Sequence, residues 1–308
     1  MRMPSSTIDE KRVMILRRAL AQLGRSGDGV HVEPPAELKP LRVDVVVAGL
    51  PQTVALEPGE LIGGYLALMH ILLAAHRSAG RRIVAGLAGV PGSGKSTLAA
   101  VLAALWHQIR PGPVLVVVGM DGWHLTNAGL DRRRFVNDDG TSVPLRDRKG
   151  SPPSFDVVGL ADALRRIRDA RDDVPIPRYD RKLHEPVPDA GVVPAATDVV
   201  LIEGNYLLND EGPWADVSGR INLSLWLDVD PTACREGLIA RHMAGGMSAD
   251  QARTKYEQND WPNTQLALAG RDRAAWLIHP DPSHVIVDVR RSSHECRSDV
   301  RPSDGPAR

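Results

Sequence analysis

The chain has 308 residues, in which 38 Lys and Arg balance 38 Asp and Glu. That neutrality excludes broad electrostatic binding to nucleic acid or to an anionic membrane surface, so any anion must be caught by a local site. A hydrophobic content of 43% supports a large core. The two cysteines, Cys234 and Cys296, lie too far apart for a disulfide framework or a zinc cluster and suit a reducing cytoplasm.

Residues 8–23 carry apolar side chains at helical spacing among Lys and Arg, the pattern of an amphipathic surface helix. The segment 41–56 alternates through Val43, Val45 and Val47 to Val54 and Leu56 around Gly49-Leu50-Pro51-Gln52, a hairpin that we place as an extension of the main sheet. After Pro58-Gly59 a helical period returns over 60–76. The stretch 61–75 contains His70 and is too short for a membrane span, and the N-terminus has no signal-peptide pattern. Residues 1–80 thus form a helix, hairpin and helix extension, and a cytoplasmic protein with no membrane partner is expected.

The strongest strand is 82–89, an apolar run ending in glycine, followed at once by a helix over 96–106. Further apolar strands fall at 114–118, 199–202, 223–227 and 285–289 with helical patterns between several of them, which predicts an α/β domain over 81–290 with a doubly wound parallel sheet. The segment 121–156 is rich in Asp, Arg, Gly and Pro and is assigned as a functional loop. Residues 291–308 are too polar to bury a core and are expected to form a disordered tail.

Gly89-Val90-Pro91-Gly92-Ser93-Gly94-Lys95-Ser96 matches the phosphate-binding loop (Walker A, P-loop) pattern between a buried strand and a helix N-terminus. Glycines let successive N–H groups turn inward, and the helix end, from Lys95 through Ser96 and Thr97, adds positive potential. In this role Lys95 bridges the β- and γ-phosphates of ATP and the Ser96 hydroxyl ligates Mg²⁺. Two acids complete the pattern. Asp121 follows the strand after the loop helix, where strand ends converge on a ligand crevice, and is positioned as a general base. Glu203 ends the apolar run Val199-Val200-Leu201-Ile202 and is positioned to hold Mg²⁺ or its waters.

Together with Met120-Asp121-Gly122-Trp123-His124, Arg148-Lys149-Gly150-Ser151-Pro152-Pro153-Ser154-Phe155-Asp156, Pro177-Arg178-Tyr179-Asp180 and Ile202-Glu203-Gly204, the loop makes the chain resemble the phosphoribulokinase and uridine kinase family from about Arg82 to Val289. The resemblance implies a doubly wound P-loop NTPase fold, ATP and Mg²⁺, transfer to a hydroxyl of a small molecule, Asp121 as catalytic base, and a helical lid contributing arginines. The lid falls at 234–242, with Arg241 as catalytic arginine and Arg235 toward the nucleotide. The two are six residues apart, about 600° around an ideal helix, so they do not share one face. His124, Tyr179, His184 and Asn263 are then the candidate acceptor residues. Tyr179 to His184 is similar to the Tyr-Asp-x-x-x-His run of uridine kinases, whereas Arg181 stands where bacterial pantothenate kinases carry His. Arg181 and Lys182 beside Tyr179 could instead meet a carboxylate or phosphate.

The leading reading is therefore an ATP-dependent kinase of a nucleoside, sugar, sugar acid or vitamin precursor. The alternative from another class is a regulatory or chaperone-like P-loop NTPase, against which stands the lack of guanine-reading and switch motifs. Assembly as a homodimer stays open.

Overall fold

The computed structural model describes residues 8–24, 33–137, 140–281 and 285–292. Asp9 caps α1 (Glu10–Leu23) by accepting from Arg12 N, and the helix buries Ile15, Leu16, Ala19 and Leu23. Strands β1 (Leu41–Val47) and β2 (Leu50–Leu56) pair antiparallel through a two-residue turn at Ala48-Gly49, with φ of 56° and 81°. The turn thus precedes the predicted position, because two left-handed residues match the twist of a tight hairpin and Pro51 is tolerated in a strand with an open edge. The hairpin forms its own two-stranded sheet, packed on the helix that follows the P-loop, and does not extend the main sheet. Its inward residues Leu41, Val43 and Val45 join the same continuous core as the rest of the protein. A π-helical turn, Glu60–Leu66, runs into α2 (Ala67–Ala79), which stops at Gly80 with φ 62°.

The main sheet is built from β3 (Ile83–Ala88), β4 (Leu115–Gly119) and, after two short hairpins, four later strands. The first hairpin joins β5 (Arg134–Val136) to β6 (Ser142–Pro144), and the second joins β7 (Val174–Asp180) to β8 (Glu185–Val193). The later strands are β9 (Val199–Glu203), β10 (Leu223–Leu227), β11 (Trp276–Pro280) and β12 (Ile286–Arg291). Their order is β12-β11-β10-β3-β9-β4, parallel except for β12, which lies antiparallel on β11. β3 is buried at every position, as the central strand of a sheet covered on both faces must be. The chain leaves β3 for β4 on one side and later returns to β10 on the other. The P-loop therefore opens at the switch point where ligand crevices form. The helices between these strands are α3 (Lys95–Ile109), α4 (Asn127–Asp131), α5 (Val157–Asp169), α6 (Trp214–Ser218), α7 (Cys234–Ala244), α8 (Ala249–Lys255) and α9 (Trp261–Leu268).

The segment 121–156 is a succession of short helices and the β5–β6 hairpin. At the far edge, β12 continues through Arg291, which pairs with Trp276, and Ser292 N donates to Ala275 O. Arg291 therefore belongs to the sheet and Ser292 is hydrogen-bonded beside it, and the remainder of that predicted tail, with Cys296, lies outside the described residues. Buried Glu60 accepts from Ile286 N at 3.2 Å and so ties the N-terminal segment to β12. Among the described residues no helix is long and apolar enough to cross a membrane.

Candidate active site

The P-loop is anchored by fully buried Val90 and nearly buried Ser93, whose N–H donates to Val90 O at 3.2 Å. Pro91 is half-buried between them. Gly92 and Gly94 adopt φ of 80° and 94°, the region that costs any residue with a Cβ. A Cβ at Gly92 would also stand 2.9 Å from Leu238 Cγ on α7, so the loop and that helix touch where only glycine fits. Gly89 is extended and closely approached by Leu227 O of β10. α3 begins without a side-chain cap, leaving the first-turn N–H donors of Lys95, Ser96 and Thr97 directed out of the helix end toward the loop. Lys95 is buried and its Nζ donates to Val90 O at 2.8 Å and to Ser93 Oγ at 3.4 Å. Burial lowers its ammonium to about 8, opposed by the charges of Glu203 and Asp121.

Because β4 and β9 pair in register, Gly119 lies beside Glu203. Ser96 Oγ donates to Glu203 Oε1 at 3.0 Å, joining the start of α3 to the end of β9. Burial pushes the Glu203 carboxyl up, and the nearby charge of Asp121 adds to this against the pull of Lys95. Asp121 follows β4 on a 3-10 turn, Met120–Trp123. Its Oδ2 lies 3.3 Å from Arg181 Nη2 and its Oδ1 3.8 Å from His124 Nδ1. The turn is pressed against β7, for a Cβ at Gly122 would meet Pro177 O at 2.5 Å.

Beyond Asp121, side chains from three segments meet. His124 packs on Phe155 with ring centroids 4.1 Å apart and on Tyr179 at 5.1 Å. Burial lowers the basicity of the imidazole and raises the phenol of Tyr179. Behind Phe155 stand Tyr206 and Trp214 in edge contacts. Lys149 closes this wall: its Nζ donates to Asn127 Oδ1 at 2.9 Å and to His184 O at 2.6 Å, and it lies 5.2 Å from the centre of the Tyr179 ring. The sequence motifs contain Lys149 and Phe155 without marking them as site residues, whereas Arg181 is already a candidate there for meeting a carboxylate or phosphate. Their partners are remote in sequence, and only the β7–β8 hairpin brings them in.

The other expected residues divide. Asn263 is buried next to Gly150, whose carbonyl accepts from Tyr206 OH at 2.7 Å. His184 sits exposed at the hairpin tip with φ 52°, and it is its carbonyl, not its ring, that contacts Lys149. Arg241, on α7, is within electrostatic reach of Arg181, Asp260 and Asp121. Arg235 is not brought there: it pairs with Glu236 at 2.7 Å and lies over the Tyr256 ring at 5.4 Å. α7 is tied to the acceptor-side chain by His242 Nε2 to Asp260 Oδ2 at 2.5 Å.

No protein-family model matches the chain. It is 32% identical over 239 residues to "Uncharacterized protein YggC" of Escherichia coli, covering 77% of this chain and 95% of that one. It is 31% identical over 188 residues to the Schizosaccharomyces pombe "Putative uridine kinase C227.14", covering 59% of this chain and 77% of that protein. Among solved structures, that of a "putative fructose transport system kinase" from Silicibacter sp. TM1040 superposes with a TM-score of 0.56 at 31% identity, covering 65% of this chain and 94% of that one. The chain belongs to the phosphoribulokinase/uridine kinase family of P-loop kinases. As a member it is an ATP-dependent phosphotransferase of small metabolites. Among the described residues no three His, Cys, Asp or Glu side chains of this kinase converge as a metal site. Ser96 and Glu203 do supply hard oxygen donors of the kind Mg²⁺ prefers, with the rest of its coordination left to phosphate and water.

Proposed function

We propose that this crevice transfers the γ-phosphoryl group of ATP to a hydroxyl of a small metabolite, with Asp121 as the base. The observation that carries the reading is the contact of Ser96 Oγ with Glu203 Oε1 at 3.0 Å, with Asp121 close enough to raise the Glu203 carboxyl. A hydroxyl, a carboxylate and a lysine thus meet at one helix end, facing a second carboxylate that is 41% exposed and held by a long contact to Arg181, so that an incoming hydroxyl can reach it.

In this reading the N–H groups of the loop and of the first turn of α3 bind the phosphates of the nucleotide. Lys95 exchanges its bond to Val90 O for a bond to phosphate oxygen, and Ser96 and Glu203 hold Mg²⁺. The ion, when bound, neutralises charge on the phosphates. Arg241 neutralises charge on the equatorial oxygens in transfer. Tyr179, His124, Lys149 and Asn263 enclose the acceptor, and the aromatic wall behind them excludes water from the reacting hydroxyl.

The test is ATP consumption by the purified protein with and without added hydroxyl compounds. Consumption that depends on an acceptor, with a phosphorylated product detected, is the expected result. Hydrolysis that ignores every acceptor and is accompanied by a conformational change would instead identify a regulatory NTPase.

A further inference from the structure

We infer that the acceptor is a compact anionic molecule, carrying a carboxylate or phosphate close to the hydroxyl that is phosphorylated, and that Arg181 recognises that group. The inference rests on the kinase reading above and narrows its substrate class.

Arg181 directly follows β7, on the turn where Asp180 Oδ1 accepts from Lys182 N at 2.7 Å and Leu183 N at 3.0 Å. That turn fixes the backbone while leaving the Arg181 side chain to reach across to the base. Its hydrogen bond to Asp121 is single and long, 3.3 Å through Nη2, whereas a committed Arg–carboxylate pair is bidentate and shorter. The protein contains such a pair for comparison: Arg271 meets Asp228 through Nε at 2.7 Å and Nη2 at 2.6 Å. Among the described residues Arg181 has no other hydrogen-bond partner, and it is 44% exposed. Most of its five donors are therefore available beside the proposed base.

Other charged groups surround Arg181. The charge of Arg181 acts on Arg241, and Lys149, held by His184 O and Asn127 Oδ1, has its ammonium 5.2 Å from the centre of the Tyr179 ring. These three cations are matched by Asp121, Glu185 and Asp260, and Glu185 Oε1 is itself engaged by Asn127 N at 2.8 Å, so it is the unused donors of Arg181 that distinguish the acceptors. A neutral acceptor filling the space would leave the remaining Arg181 donors partly desolvated and weakly paired, whereas a carboxylate or phosphate would take them up. Distance sets the size. A hydroxyl bonded to Asp121 Oδ2 and an anionic group bonded to Arg181 Nη2, which lie 3.3 Å apart, are separated by roughly 9 Å at most, given ordinary hydrogen-bond lengths. Small hydroxy acids and sugar phosphates fit that separation.

The experiment measures binding to the full protein loaded with Mg·ADP, and phosphorylation with Mg·ATP, for matched probes: glycerate against glycerol, gluconate against glucose, and ribose 5-phosphate against ribose. The anionic member of at least one pair should bind at least 10-fold better, and which pair responds tells carboxylate from phosphate. In Arg181→Met the gap should close through KM, with kcat for the anionic acceptor changed less and Mg·ADP affinity unchanged. Four results each overturn the inference: equal or better binding of the neutral members, no binding by any probe, an undiminished preference in Arg181→Met, or a loss confined to Mg·ADP affinity. Failure of the kinase reading itself would look different: Mg·ATP would be hydrolysed at the same rate with or without every probe, and no phosphorylated probe would form.

Discussion

Around Lys95 the crevice is made of backbone: a glycine loop, an uncapped helix end and two strand termini in register. Around Tyr179 it is made of side chains that arrive from α4, the 145–155 segment and the β7–β8 hairpin, held by Lys149 and by ring contacts. The first kind of construction suits a ligand part that never varies, since phosphate oxygens need only N–H donors at fixed spacing. The second suits a part that differs between enzymes, because changing one side chain alters the pocket without disturbing the sheet. Asp121 belongs to both, attached to the end of β4 and pressed against β7 through Gly122.

The sharpest way to break this division is at Asp121. Asp121→Asn retains the shape of the turn and removes the basic oxygen, so acceptor-dependent transfer should fall about 10²- to 10⁴-fold. Mg·ADP should bind as before, because the backbone half is untouched. Binding and transfer are measured on the same preparation, and wild-type transfer would show Asp121 to be a turn residue only. Lys95→Met probes the other half. It keeps a buried stem of similar length, lowers kcat by about 10²- to 10³-fold and weakens nucleotide affinity, the scale usual for one electrostatic stabiliser. Anionic acceptor binding in the absence of nucleotide should not respond.

The two halves also differed in how far they could be read from the sequence. The loop residues Gly89 to Ser96 are contiguous, so one pattern carried the phosphate loop, Glu203 followed from the end of its own apolar run, and the apolar runs of β3, β4, β9 and β10 are where they were expected. β11 was missed because it is a five-residue strand containing His279 and Pro280, too short for a period to show. The β7–β8 hairpin was missed because Pro175, Pro177, Pro186 and Pro188 mark its strands as loop. It pairs only with itself, so the missing donors cost no neighbouring strand. Lys149 could not be assigned from sequence at all, since its partners Asn127 and His184 lie 22 and 35 residues away.

A smaller effect is expected where the halves are joined. Gly122→Ala places a Cβ 2.5 Å from Pro177 O, a backbone atom that cannot swing aside. The turn and β7 must separate, at about 1 to 3 kcal/mol. Gly63→Ala is the control, because nothing lies within 4 Å of its Cβ position. Denaturant melts should show a loss for Gly122→Ala alone, accompanied by weaker acceptor binding and near-normal Mg·ADP binding. Equal stability of both variants would mean that the junction between turn and hairpin is loose.

The smallest effect concerns the brace beside the loop, where Asp228 directly follows β10 and binds Arg271 in two places. Burial alone would raise the Asp228 carboxyl, but the hydrogen bonds and charge of Arg271, with His279 nearby, outweigh it and hold the group below its usual range. A carboxylate with a lowered folded-state pKa stabilises the fold above its unfolded value of about 3.9, and that contribution fades as pH falls through the folded value. Arg271 is 37% exposed, so solvent screening keeps the contribution to about 1 kcal/mol. His279 Nδ1 lies 3.3 Å from Asp228 Oδ2 and would titrate in the same experiment, so both chains to be compared carry His279→Gln. In that background Asp228→Asn should be less stable at pH 7 by this amount, and the difference should close below about pH 4. The brace holds backbone and touches no proposed acceptor residue, so the variant should leave the preference between anionic and neutral acceptors unchanged. A difference that persisted at low pH would trace the loss to packing around Asp228 and not to its charge.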